Sequence, residues 1–227
     1  MLFFIKIFIS KCVIKMFKLP ILNYSYKEFE PYIDKKTMFI HYNKHHKNYL
    51  NNLNVILKKN TITYSSLENL VSSISKINIK NILTLKNNLG GYYNHVLFWE
   101  NLKLKTNINI NFKKIIKKNF KTFKNFKKNF ENVAAAHFGS GWVWLIIKKN
   151  NFLEIVSTNN QDNPLMGKHI SGVFGYPIIC LDLWEHAYYL NYKNDKISYI
   201  KNFWKILNWD IVFERYNAYI KKNKTIE

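Results

Sequence analysis

The sequence predicts an α+β fold, with helices leading and a small sheet set among helices following. Three observations carry this. Apolar residues recur at helical spacing from about residue 36 to residue 130. The pattern then changes to β-branched and aromatic runs, "GWVWLIIKK" (141–149) and "FLEIVST" (152–158), around Asn150-Asn151. A third run, "PIICLDLW" (177–184), completes three strands that follow the helices instead of alternating with them.

Taken in order, residues 36–59, "KTMFIHYNKHHKNYLNNLNVILKK", read as one long helix. Asp34 precedes it, and Thr37 is an alternative cap if it starts later. A second helical piece spans 65–77 and begins at Ser65 or Ser66. The stretch 81–102 is helical again despite Gly90-Gly91, which costs about 1 kcal/mol per glycine relative to alanine. A glycine pair there implies close approach of another group to the backbone. Residues 103–130 place Ile110, Phe112, Ile115, Ile116, Phe120, Phe123 and Phe126 at helical spacing against lysines, an amphipathic helix or helix pair. Asn150-Asn151 reads as the two-residue turn of a hairpin. The third strand leads into a helical segment from about Glu185, and one or two helices close the chain.

Composition narrows the function classes. A chain of 227 residues with 48% hydrophobic and 17% aromatic residues can build a proper core. The formal net charge of +21 is compatible with an anionic partner. The cations are nearly all lysine, however, with Arg215 the only arginine. Sequence-specific nucleic-acid readers depend on bidentate arginine. The charge therefore reads chiefly as codon usage in an AT-rich genome, and no specific nucleic-acid partner is expected. Cys12 and Cys180 match no metal or redox spacing, which suits a reducing compartment. Lysines 6, 11 and 15 break the apolar start "MLFFIKIFISKCVIKMFKLP", so no membrane span is expected. Residues 1–15 read as an extension, either a targeting segment or a start placed upstream of Met16. A cytoplasmic protein of a bacterium or endosymbiont is the expectation, with mitochondrial or other targeting if the extension is real.

Candidate chemistry lies in the histidines. His41, His45 and Tyr49 share one side of a helix at four-residue spacing, while His46 turns away from that stripe. They form either a polar pocket wall or ordinary surface and packing residues. His95 sits in the aromatic run "YYNHVLFWE" and reads as buried. Asp182 and His186 can converge where the third strand ends. Together His41, His95, Asp182 and His186 offer three imidazoles and one carboxylate, a set for Mn, Fe, Zn or Co. Spacing alone leaves open whether they meet. The pair Gly139 and Gly141 lacks a Rossmann setting and reads as a tight bend packing Trp142 and Trp144. No G-x-S-x-G elbow is present.

The run Asp182-Leu183-Trp184-Glu185-His186-Ala187-Tyr188-Tyr189 resembles the D-x-W-E-H-A-[FY]-Y signature of the iron/manganese superoxide dismutases. "LPILNYSYKEFEPYID", "HYNKHHKNYLNNLN", "NNLGGYYNHVLFW", "HFGSGWVWL", "NQDNPLMG" and "NFWKILNWD" continue the likeness in family order, over about residues 16–215. The resemblance implies an N-terminal antiparallel helical hairpin over 16–104. A C-terminal domain over 105–227 would hold a three-stranded antiparallel sheet surrounded by helices. It implies an oxidoreductase with one Mn per subunit, Fe being the alternative, that converts superoxide to dioxygen and hydrogen peroxide. It gives His41, His95, Asp182 and His186 as metal ligands. His45 and Tyr49 would line the substrate funnel, and Trp142, Trp144 and Trp184 the aromatic shell. Glu185 and Tyr189 would cross a homodimer interface, toward His186 of the partner subunit and the partner's His45.

Gly91 together with Gln161 resembles the bacterial-like manganese type, in which the outer-sphere amide comes from the C-terminal domain. That amide would occupy the space Gly91 leaves. Departures are "NDKISYI" (194–200) in place of N-x-R-P-D-Y, which removes an arginine near the entrance, Cys180 for glycine and Asn23 for proline. Two other function classes stand beside this one: a zinc hydrolase using the same ligands, and a basic nucleic-acid-binding protein.

Overall fold

The computed structural model describes residues 16–224. The expectations for residues 1–15, Cys12 among them, lie outside these.

The first long helix starts where Asp34 caps it: its Oδ1 accepts from Thr37 N at 2.9 Å. Asp34 thus takes the cap, and Thr37 is inside the first turn. The helix is not uniform. It runs as α1 (Lys35–Ile40), a π-helical turn (His41–His46) and α2 (Lys47–Asn60). Thr61, in the left-handed region at φ 51°, ends it. Ser66 caps the short α3 (Leu67–Ser72) through its side chain. Helix α4 (Ile82–Glu100) packs along α2, and twelve of its residues from Leu85 to Trp99 are buried. A helix hydrophobic nearly all round belongs inside a core, and α4 is the core helix here.

An extended link crosses to the second half. The lysine-rich stretch forms a helix pair, α5 (Ile110–Phe120) and α6 (Phe123–Ala136). Phe112, Ile116, Phe126 and Phe130 are buried on its inner face. Strands β1 (Gly141–Ile147), β2 (Leu153–Asn159) and β3 (Tyr176–Asp182) form one antiparallel sheet in the order β2-β1-β3. The central strand is buried at every position, as a strand covered on both faces must be. The β1–β2 turn has three residues rather than two. Lys148 N donates to Phe152 O at 2.8 Å, and Asn151 adopts φ 63°. An asparagine tolerates the left-handed conformation that such a loop needs.

The segment after β3 begins with a 3-10 turn (Glu185–Ala187) instead of a regular helix. Short helices α7 (Lys168–Ser171) and α8 (Tyr189–Tyr192) precede and follow that strand and turn, and α9 (Lys196–Phe203) and α10 (Trp209–Lys224) close the fold. Arg215 joins the two halves at its buried position. It donates to Leu97 O on α4 and Ile178 O on β3, both at 3.3 Å, and pairs with Glu100.

Candidate metal centre

Four elements deliver four side chains to one point. His41 comes from the π-helical turn and His95 from α4. Asp182 is the last residue of β3, and His186 lies in the turn after it. Their potential ligand atoms all lie within 4.8 Å of one another. Asp182 Oδ2 is 3.1 Å from His41 Nε2, 3.3 Å from His186 Nε2 and 3.6 Å from His95 Nε2. These same four atoms are buried and without a hydrogen-bond partner. Buried polar atoms without partners are costly, so their convergence marks a site shaped for a cation.

Protonation states agree. Burial is the main force on His41 and pushes it down to about 4, against the pull of Asp182. Burial likewise drives His95 well below the usual imidazole range. The Asp182 carboxyl is pushed up by burial but held low overall by His186 and His41. An anionic carboxylate thus faces the neutral imidazoles of His41 and His95. His95 Nδ1 lies 2.5 Å from Gly91 O, and a carbonyl can only accept. The ring proton is therefore on Nδ1, which leaves the Nε2 lone pair aimed inward. With three nitrogens, one oxygen and no thiolate, the donors fit Mn or Fe and not a structural cysteine-type zinc site.

The surrounding residues are arranged around this point. His45 stacks on His186 with ring centroids 4.0 Å apart. Trp184 stacks on His186 at 5.7 Å. Trp142 stands edge-on to His95 at 5.2 Å, and Trp144 lies one layer back, stacked on Trp142. Gln161 is buried beside them. Its Oε1 accepts from Trp142 Nε1 at 3.0 Å and Asn94 Nδ2 at 3.2 Å, and its Nε2 donates to Tyr49 Oη at 3.1 Å. Glu185 and Tyr189 are exposed.

The glycine pair works differently from the sequence-based expectation. A side chain at Gly91 would meet the Tyr49 ring, with Cδ1 at 2.5 Å, so the phenol and not the amide fills that space. Gln161 presses on the neighbouring glycine: its backbone carbonyl lies where a Gly90 Cβ would be.

Sequence reasoning missed several residues. His46 is fully buried against α4, not turned away. Asn94 and Asn163 extend the Gln161 network, Asn163 Nδ2 donating to Asn94 Oδ1 at 2.8 Å. Buried asparagines in apolar runs were the available signal. Lys196 lines a recess of about 400 Å³ with Ser140, Trp184, Glu185 and His186. Cys180 is buried, with Sγ 3.2 Å from Asn101 Oδ1, an apolar-site thiol whose ionisation burial suppresses.

Residues 16–103 match the family model for iron/manganese superoxide dismutases, alpha-hairpin domain. Residues 108–215 match the model for the C-terminal domain of the same family. The chain is 52% identical over 198 residues to a superoxide dismutase [Mn] of Buchnera aphidicola subsp. Baizongia pistaciae, covering 87% of this chain and 95% of that one. It is 52% identical over 192 residues to the superoxide dismutase [Mn] of Buchnera aphidicola subsp. Acyrthosiphon pisum, covering 85% and 94%. With the superoxide dismutase [Mn] of Yersinia enterocolitica it shares 45% over 201 residues, 88% and 97% of the two chains. These matches lend nothing to a hydrolase or a nucleic-acid-binding reading. With two consecutive domain models matched in order and a buried four-donor centre spanning both, the chain belongs to the iron/manganese superoxide dismutase family.

Proposed function

We propose that the chain is a manganese superoxide dismutase in which His41, His95, Asp182 and His186 hold the ion. The carrying observation is the meeting of four buried, partnerless donor atoms at one point. When bound, the ion supplies one-electron chemistry, cycling between trivalent and divalent states so that two superoxide anions and two protons become dioxygen and hydrogen peroxide. The chain's residues do the rest. One carboxylate among neutral imidazoles leaves net positive charge on the loaded site, which draws an anion. Tyr49 Oη accepts from Gln161 Nε2, so its own proton is free to be given toward the open side of the site. Gln161 is itself fixed by Trp142 and Asn94, which holds its amide without reorganisation. Trp142 and Trp144 exclude water behind the ligands.

Manganese is favoured by the relatives' names and by the origin of the amide, which comes from the C-terminal half at Gln161. Glu185 and Tyr189, exposed beside the site, fit a homodimer in which each reaches the partner subunit. No helix among the described residues is long and apolar enough to cross a membrane. Elemental analysis of the purified protein, with superoxide decay measured on the manganese-, iron- and zinc-loaded forms, tests the assignment. Manganese-dependent dismutation is expected. A zinc-bound protein with no dismutation in any form overturns it.

A further inference from the structure

His46 follows the ligand His41 by five residues. On a regular α-helix that separation turns a side chain about 140° away. Here the intervening segment is π-helical, and Lys47 N–H reaches the carbonyl of Tyr42, five residues back. The wider turn returns position i+5 toward the same face, so His41 and His46 both point inward and both are buried. The His46 ring lies between two rings of α4. It is nearly parallel to His95, at 5.3 Å and 14°, and stacked on Tyr92 at 5.2 Å. From the same face of α4, Trp99 Nε1 donates to His46 Nδ1 at 2.9 Å. The Trp99 indole in turn stands against His41, with centroids 4.8 Å apart.

We propose that His46 is a positioning residue for His95. This rests on the reading of His95 as a metal ligand. The bond from His95 Nδ1 to Gly91 O selects which nitrogen faces the ion, but one hydrogen bond leaves the ring free to tilt about it. A parallel ring against its face removes that freedom. The His46 ring is itself held by Trp99, so a side chain that packs His41 also sets the plane behind His95. An apolar filler would pack equally well but would leave the buried Trp99 N–H without its acceptor. The π-helical turn is the backbone device that brings His46 to this place.

The test uses the full-length, manganese-loaded protein and two complementary variants. His46→Phe keeps a flat ring and removes the acceptor. His46→Asn keeps an acceptor near the Nδ1 position and removes the ring. The readouts are the electron paramagnetic resonance spectrum of divalent manganese, the visible absorption of the trivalent form, and the manganese dissociation constant. Thermal unfolding is measured beside them.

His46→Asn is expected to weaken manganese binding about 10- to 100-fold and to alter both spectra even at full loading. His46→Phe is expected to stay closer to the parent spectra. An Asn variant with parent spectra and affinity but a lower Tm shows plain packing and overturns the proposal. A Phe variant altered as much as the Asn variant overturns the role of the ring face. If His46→Asn does not fold, Trp99→Phe carries the test: loosening the His46 ring should shift the same spectra, and unchanged spectra overturn the proposal. Manganese binding and superoxide decay of the parent, measured alongside, report separately on the family reading.

Discussion

Gln161 Nε2 donates to Tyr49 Oη at 3.1 Å, joining residues 112 positions apart in the chain. The contact links the C-terminal half to the first long helix directly beside His95, on which the Tyr49 ring also lies at 5.5 Å. Gln161→Leu keeps the volume and removes the donor. It leaves all four ligands in place, so manganese retention is expected to stay near the parent level. Activity is expected to fall about 10- to 100-fold, the usual scale for a group that orients the surroundings of a metal. Metal content by elemental analysis and superoxide decay on the same sample check this; unchanged kinetics with manganese would show that the amide plays no part.

The glycine pair makes a sharper steric prediction. A methyl at Gly90 collides with the backbone carbonyl of Gln161 and lies 2.9 Å from Met166 Cε. A backbone atom cannot swing aside as a side chain can. Gly90→Ala should gain up to about 1 kcal/mol of helix propensity. It should lose about 1–3 kcal/mol or more to overpacking. The expected net result is a lower Tm with reduced activity, since the displaced carbonyl belongs to Gln161. Thermal unfolding compared with Thr84→Ala on the same helix isolates the effect, and a Gly90→Ala protein as stable and active as the parent would refute it.

Much of this site could be read before its geometry. Asp182 and His186 are legible because a strand end and the turn after it bring positions i and i+4 together. His41, His45 and Tyr49 are legible because four-residue spacing approximates one face of a helix. His46 fails for a physical reason: the wider π turn changes the period locally, and no residue type in "HYNKHH" announces it. The Gly90–Gly91 pair signals close approach, but which group approaches which glycine depends on contacts across the fold. The β1–β2 loop is one residue longer than the sequence-based expectation because Asn150-Asn151 fits two loop lengths equally well. The two flanking strands pair in a register, Ile147 with Leu153, that leaves room for more than two residues.

Lys196 lies on the outer side of the site. It shares the recess beside His186, and its Nζ donates to His137 O at 3.1 Å. Burial lowers its pKa from the ordinary lysine value, the direction that reduces its charge at high pH. If it takes over the work of the absent arginine, Lys196→Met should reduce the superoxide rate constant several-fold at low ionic strength. The difference from the parent should shrink as salt is added, because screening removes what the mutation removes. Pulse radiolysis across an ionic-strength series checks both statements. Equal rates at low salt would assign Lys196 to structure alone.

Removing a ligand should separate metal binding from folding. His186 lies in the turn after β3, partly open to solvent, and its Nε2 approaches Asp182 Oδ2 at 3.3 Å. His186→Ala therefore deletes one donor with little loss of core. Manganese affinity is expected to fall by more than the roughly 10- to 100-fold typical of outer residues. An ion that binds only the folded chain stabilises it by about 2.7 kcal/mol at one hundred times its dissociation constant. Added manganese should thus raise the Tm of the metal-free parent and leave that of the variant nearly unmoved. Trp144→Phe, which removes a hydrogen bond to Thr158 but no ligand, should retain the manganese response and serves as the control. A His186→Ala protein whose Tm still climbs with manganese would place the ion elsewhere than among these four residues.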